Sequence, residues 1–170
     1  MKKILIILFF LLLIFDQTAF AEYKPIPKNL SSQYKIEITK IIDKDYPNAI
    51  KKTKQTRRKA HKMYLKVLKD KKFYIDYATS NFDIIISTGE FNLLSKIIDI
   101  TDKYVKIKDE EALATDYNGA VLDFLNPYFV DNNINTEKLD KLGLFINKKR
   151  MEIIQEQEFL HKIIYPNENY

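Results

Sequence analysis

The sequence predicts an all-α fold: one domain of about five to six helices, arranged as a bundle or a short stack of helix pairs. Three observations predict it. Apolar residues recur at three- and four-residue spacing along most of positions 31–166. The chain holds 3 glycines and 5 prolines, too few for a fold rich in tight turns. No hairpin dipeptide separates strand-like runs.

The first element is a targeting signal. Lys2-Lys3, a twelve-residue apolar run from Ile4 to Phe15 and the A-x-A site Ala19-Phe20-Ala21 are the three parts of a secretory signal peptide, with cleavage expected after Ala21. Asp16 ends the run well short of the roughly 17–25 residues a membrane-spanning helix needs, so no transmembrane segment is expected in the mature chain. The Lys, Ile and Asn bias suits a bacterium, which places the product in the periplasm or outside the cell. Positions 22–30, with Pro25 and Pro27, read as an extended lead-in.

Helices follow in order through a domain at 31–166. Tyr34, Ile38, Ile41 and Ile42 line one face of a helix expected to stop before Pro47, with Pro47 opening a second helix toward Lys69. That second helix carries a stripe of Ala60, Tyr64, Val67 and Leu68, yet Lys51 to Lys59 contains no apolar residue at all. Its first half must therefore be solvated or docked on something charged. Phe73 to Ile86 is apolar nearly throughout and is read as helix; Ser87-Thr88-Gly89-Glu90 has the form of a capping box that would begin the next one. Phe91, Leu94, Ile98, Thr101 and Val105 set its face.

Asp109 is expected to cap a further helix, striped by Leu113, Tyr117, Ala120, Val121 and Phe124 and stopped by Pro127. Asp131-Asn132-Asn133 form a turn, and a last long helix begins at Asn135 or Thr136. It runs to Pro166, with Gly143 as the place for a bend, and positions 167–170 are a tail.

Composition bounds the chemistry. With no cysteine, an exported domain has no disulfides and rests on its core, while thiol catalysis and cysteine-based zinc sites are excluded. The 149 residues left after removing 21 from 170 suffice for one such core. Glu158 and His161 share a helix face at the E-x-x-H spacing of di-iron bundles, but the position three before His61 is Arg58, so the second copy is missing. Asp99 with Asp102 is a carboxylate pair on a helix, and Asp109-Glu110-Glu111 is ordinary first-turn acidity. No catalytic site, metal or cofactor is assigned.

Charge is the remaining signal. Between Lys51 and Lys72 eleven basic residues face Asp70 alone, a net of +10, whereas Phe73 to Glu137 sets twelve acids against four lysines, a net of −8. Lys51, Lys52, Lys54, Arg57, Arg58, Lys59 and Lys62 are the candidate contacts for an anionic partner. The plainer alternative is a solvated face paired with the chain's own acids. Tyr128 and Phe129, following Pro127, are candidate exposed aromatic contacts. The expectation is an exported, non-catalytic binding or inhibitory protein, such as an immunity or envelope accessory protein. Its partner is a protein of the cell envelope or an anionic surface such as lipopolysaccharide, anionic lipid or host glycan. Export argues against nucleic acid.

Overall fold

The computed structural model describes residues 23–107 and 118–166. The expected signal peptide, the expected Asp109 cap with the start of its helix and the expected tail at 167–170 lie outside the described residues. Four helices account for most of the rest: α1 (Ser31–Lys69), α2 (Phe82–Val105), α3 (Asn118–Asp131) and α4 (Glu137–Ile164). A 3-10 turn at Lys71–Phe73 and a single helical turn at Tyr74–Ala78 join α1 to α2. Among the described residues there is no strand, so the all-α class stands.

Among the described residues four long helices stand where five to six were expected, because the expected breaks at Pro47 and at Ser87-Thr88-Gly89-Glu90 are absent. Pro47 lies inside α1. A proline within a helix removes one backbone hydrogen bond and costs about 3 kcal/mol. Continuity wins because both flanks bury their stripes in one core: Tyr34, Ile38 and Ile42 before Pro47, Ala49, Ala60 and Val67 after it. Pro47 itself faces solvent. Pro127 likewise does not stop α3, which continues to Asp131.

The break between the middle helices also moves. Phe73 to Ile86 is interrupted at Thr79–Asn81, and α2 runs unbroken through Ser87-Thr88-Gly89-Glu90. Ser87 Oγ donates to Asp83 O and Thr88 Oγ1 to Ile84 O, so both hydroxyls bond back to the preceding turn instead of capping a new helix. The buried face of α2 is Ile86, Leu93, Leu94, Ile97 and Thr101, while Phe91 stands 41% exposed, rotated off the expected stripe.

α1, α2 and α4 make most of the core, and α3 adds Val121, Leu125, Tyr128 and Phe129. α1 packs along α2 and α4, α2 packs on α4, and α3 leans on α2. At the α1–α2 crossing, a Cβ on Gly89 would lie 3.0 Å from Ala49 Cα, so only glycine lets the two backbones meet this closely. Gly143, the expected bend in α4, makes room for a carboxylate: its Cβ would sit 3.3 Å from Oε1 of the buried Glu90.

Inside the core, Tyr34 OH and Thr101 Oγ1 are 2.9 Å apart. Thr101 Oγ1 donates its one proton to Ile97 O at 2.8 Å, which makes Tyr34 the donor to Thr101. Burial pushes the Tyr34 hydroxyl up to about 12. The lead-in closes the other end. Ile26 is buried, and the Tyr23 ring packs edge-on against Tyr128 at 4.9 Å while its hydroxyl bonds Asp131. Asn133, at φ 51°, turns the chain out of α3, and Ile134 N bonds back to Phe129 O at 2.9 Å.

Candidate functional site: the basic face of α1

The basic run folds as the second half of α1, and helical geometry divides it. Thr53, Thr56, Ala60 and Val67 fall on the inner face and are buried. Lys51, Lys52, Lys54, Arg58, Lys59 and Lys62 are all exposed. Lys51, Arg58, Lys62 and Lys69, at i, i+7, i+11 and i+18, run down one line of the helix. Where the sequence offers no apolar residue, two threonines and an arginine do the packing. Thr53 Oγ1 satisfies itself by donating to Ala49 O at 2.9 Å.

That arginine is Arg57, and it departs from its neighbours. Its side chain is 16% exposed and turns into the α1–α4 interface. Nε donates to Glu152 Oε2 at 2.8 Å, while Nη1 and Nη2 donate to the two oxygens of Glu156 at 3.1 and 2.7 Å. Burial works against the Glu152 carboxylate, but hydrogen bonds from Lys149 and Arg57 outweigh it and hold its carboxyl below the ordinary glutamate range. His61 Nδ1 lies 2.7 Å from Glu156 Oε1, and Tyr77 OH reaches Glu156 Oε2 at 3.5 Å. Burial, with Glu156 beside it, pushes the Tyr77 hydroxyl up. The fork is a structural clamp and removes Arg57 from the set of surface contacts.

Other run members find lesser partners. Lys54 Nζ stands 6.0 Å from the centroid of the Phe145 ring, and Lys71 Nζ donates to Ile163 O at the end of α4. Lys72 pairs with Asp70 in solvent. Among the described residues no ion pair engages Lys51, Lys52, Arg58, Lys59 or Lys62. Among the described residues, no acid between Phe73 and Glu137 pairs with Lys51, Lys52, Arg58, Lys59 or Lys62. The acids that pair across helices with Arg57 come instead from α4.

The other candidates resolve simply. Tyr128 and Phe129 are 1% and 3% exposed, so they are core and not contact aromatics. The reason is the persistence of α3 past Pro127, which turns both rings inward beneath the lead-in. Glu158 is exposed and His161 half-buried, the His161 ring 6.4 Å from Tyr74 and 5.0 Å from Tyr165. Among the described residues no three His, Asp or Glu side chains gather as a metal site. Asp99 and Asp102 are exposed. No described helix is long and apolar enough to cross a membrane.

Sequence reasoning missed Glu152 and Glu156, since nothing local marks a pairing 99 positions apart. The position of Arg57 had a signal: three before Ala60 and seven before Tyr64, it extends the apolar stripe toward the N-terminus. Leu68, expected on the buried stripe, is 43% exposed, and Leu65 beside it is 44% exposed, so two apolar residues stand beside the cations.

No protein-family profile matches the chain, and neither curated proteins nor solved structures yield a similar one.

Proposed function

We propose that this chain is an exported, non-catalytic binding protein of the cell envelope that meets an acidic protein surface through the outer face of α1. Export rests on the pattern of residues 1–21. One observation carries the binding reading: Lys51, Lys52, Arg58, Lys59 and Lys62 are exposed and have no ion-pair partner among the described residues, with Leu65 and Leu68 exposed among them. Cations steer and orient an acidic partner, and apolar side chains supply area to bury against it. An inhibitory role, as in an immunity protein covering a toxin, needs only such a face on a stable scaffold.

A second reading is direct contact with an anionic surface such as lipid headgroups, lipopolysaccharide or host glycans. The line of cations without an ion-pair partner among the described residues favours it, and the two leucines favour the protein partner.

Capture from an envelope extract at low and high salt tests both. The wild type is compared with a variant carrying Lys51→Gln, Lys52→Gln, Arg58→Gln and Lys59→Gln, and with a control carrying Lys138→Gln and Lys141→Gln on α4. A partner retained by wild type and control, lost by the first variant and only weakened by salt supports the protein reading. Attachment abolished by salt, as the screening length falls from about 10 Å at 0.1 M to about 3 Å at 1 M, supports the surface reading. An identical partner set for all three proteins sinks both.

A further inference from the structure

The α1–α2 crossing leaves a groove of about 330 Å³ that the local backbone creates. Because Gly89 has no side chain and Ala49 has one carbon, the floor is low and apolar. Residues from both helices rise around it. On α1, Asn48, Lys51, Lys52 and Gln55 recur at i, i+3, i+4 and i+7, and on α2, Asn92 and Lys96 stand at i and i+4.

The wall chemistry is one-sided. Lys96 Nζ is held 2.5 Å from Asp45 Oδ2, which fixes that ammonium at the rim. Lys51 and Lys52 have no partner among the described residues, and the side-chain amides of Asn48, Gln55 and Asn92 engage no other protein group there. Three ammonium groups less one carboxylate leave the groove at +2. The free donors there are ammonium and amide N–H groups, converging from two rigid helices.

We propose that this groove binds a phosphate group in its dianionic form, either free phosphate or the terminal phosphomonoester of a lipid headgroup. Such a group carries a charge of about −1.5 to −2 near neutral pH and several strong acceptor oxygens, which suits both the charge of the groove and its donor set. Lys51 and Lys52 supply the charge, and Asn48 and Asn92 reach the oxygens from opposite walls. Lys96, oriented by Asp45, is the third cation. The site does not depend on a protein partner for the same helix.

The test uses the purified protein with two probes. One is inorganic phosphate in calorimetric titration; the other is phosphatidylcholine vesicles carrying phosphatidic acid, set against vesicles carrying phosphatidylglycerol at equal surface charge. The expected result is saturable single-site binding of phosphate, or preference for phosphatidic acid by about tenfold or more. The first outcome identifies free phosphate as the source and the second a headgroup. Lys51→Gln with Lys52→Gln should weaken binding by about tenfold, and Asn92→Trp, which fills the groove without changing charge, by a similar factor. Lys138→Gln with Lys141→Gln, an equal charge change on the exposed face of α4 and off the groove, should change it by less than about twofold. All these positions are exposed, and circular dichroism checks that each variant folds. Equal weakening by both double variants with no effect of Asn92→Trp would mean a diffuse field and overturn the proposal, as would the absence of saturable binding to either probe.

Discussion

Arg57 places Nη1 and Nη2 at 3.1 and 2.7 Å from the two carboxylate oxygens of Glu156, bridging α1 and α4 across 99 positions of sequence. Its neighbour Arg58 is exposed and bonds nothing described. Removing one partner of such a poorly exposed pair strands the other, so Arg57→Ala should cost about 2–3 kcal/mol, whereas Arg58→Ala should stay within about 0.5 kcal/mol. Urea denaturation of the two variants decides it, and equal costs would refute the clamp.

The same clamp sets a response to acid. The carboxyl of Glu152 is held below its ordinary value of 4.5, so its contribution is complete above that value and fades as pH falls through the lower folded-state value. Wild-type stability should therefore drop more steeply below about pH 4.5 than that of Arg57→Ala, which has already lost one of the two bonds concerned. Denaturation midpoints measured across the acid range would show it.

Alkali should act on the opposite side of neutrality, through Tyr34. Its hydroxyl rises from 10.0 to about 12 in the fold, so the folded chain holds its proton more tightly than the unfolded one. The resulting stability is complete below the unfolded value of about 10 and is lost as pH climbs toward 12. Tyr128, raised by burial, works the same way. Ultraviolet titration should show tyrosinate appearing together with unfolding. Tyr34→Phe should cost about 1–2 kcal/mol, because Thr101 Oγ1 is left buried without its donor.

Pro47 separates one long helix from two short ones. In the middle of a continuous α1 it is a liability, and Pro47→Ala should stabilise the protein by about 1–3 kcal/mol. At the first position of a new helix the same change would be neutral or unfavourable. A thermal or urea midpoint that fails to rise would argue against the unbroken helix.

How much of this was legible beforehand depended on how local the cause was. The all-α class, the run from Thr136 to Pro166 and the stripe Tyr34, Ile38 and Ile42 were all readable, because periodicity and turn chemistry are local. Pro47 and Pro127 misled because their penalty is local while the burial that overrides it is tertiary. Tyr128 and Phe129 followed Pro127 into error. For the candidate site, the cationic face was plain from composition, but the inward turn of Arg57 needed Glu152 and Glu156, whose proximity only packing reveals.

Gly89 gives the sharpest packing test. Gly89→Ala adds helix propensity worth about 1 kcal/mol, yet the new methyl would stand 3.0 Å from a backbone atom of Ala49 that cannot rotate away. Separating the helices should cost more than the propensity returns, for a net loss of about 1–2 kcal/mol. A gain in the denaturation midpoint would mean the crossing is looser than described.

The unbroken course of α1 also makes it a ruler. At 1.5 Å per residue, the span from Lys51 to Lys69 is about 27 Å of continuous helix with cations at nearly every turn. Charges spaced this way count the length of whatever lies along them: for a series of acidic ligands of increasing reach, affinity should climb step by step to about 27 Å and then level off.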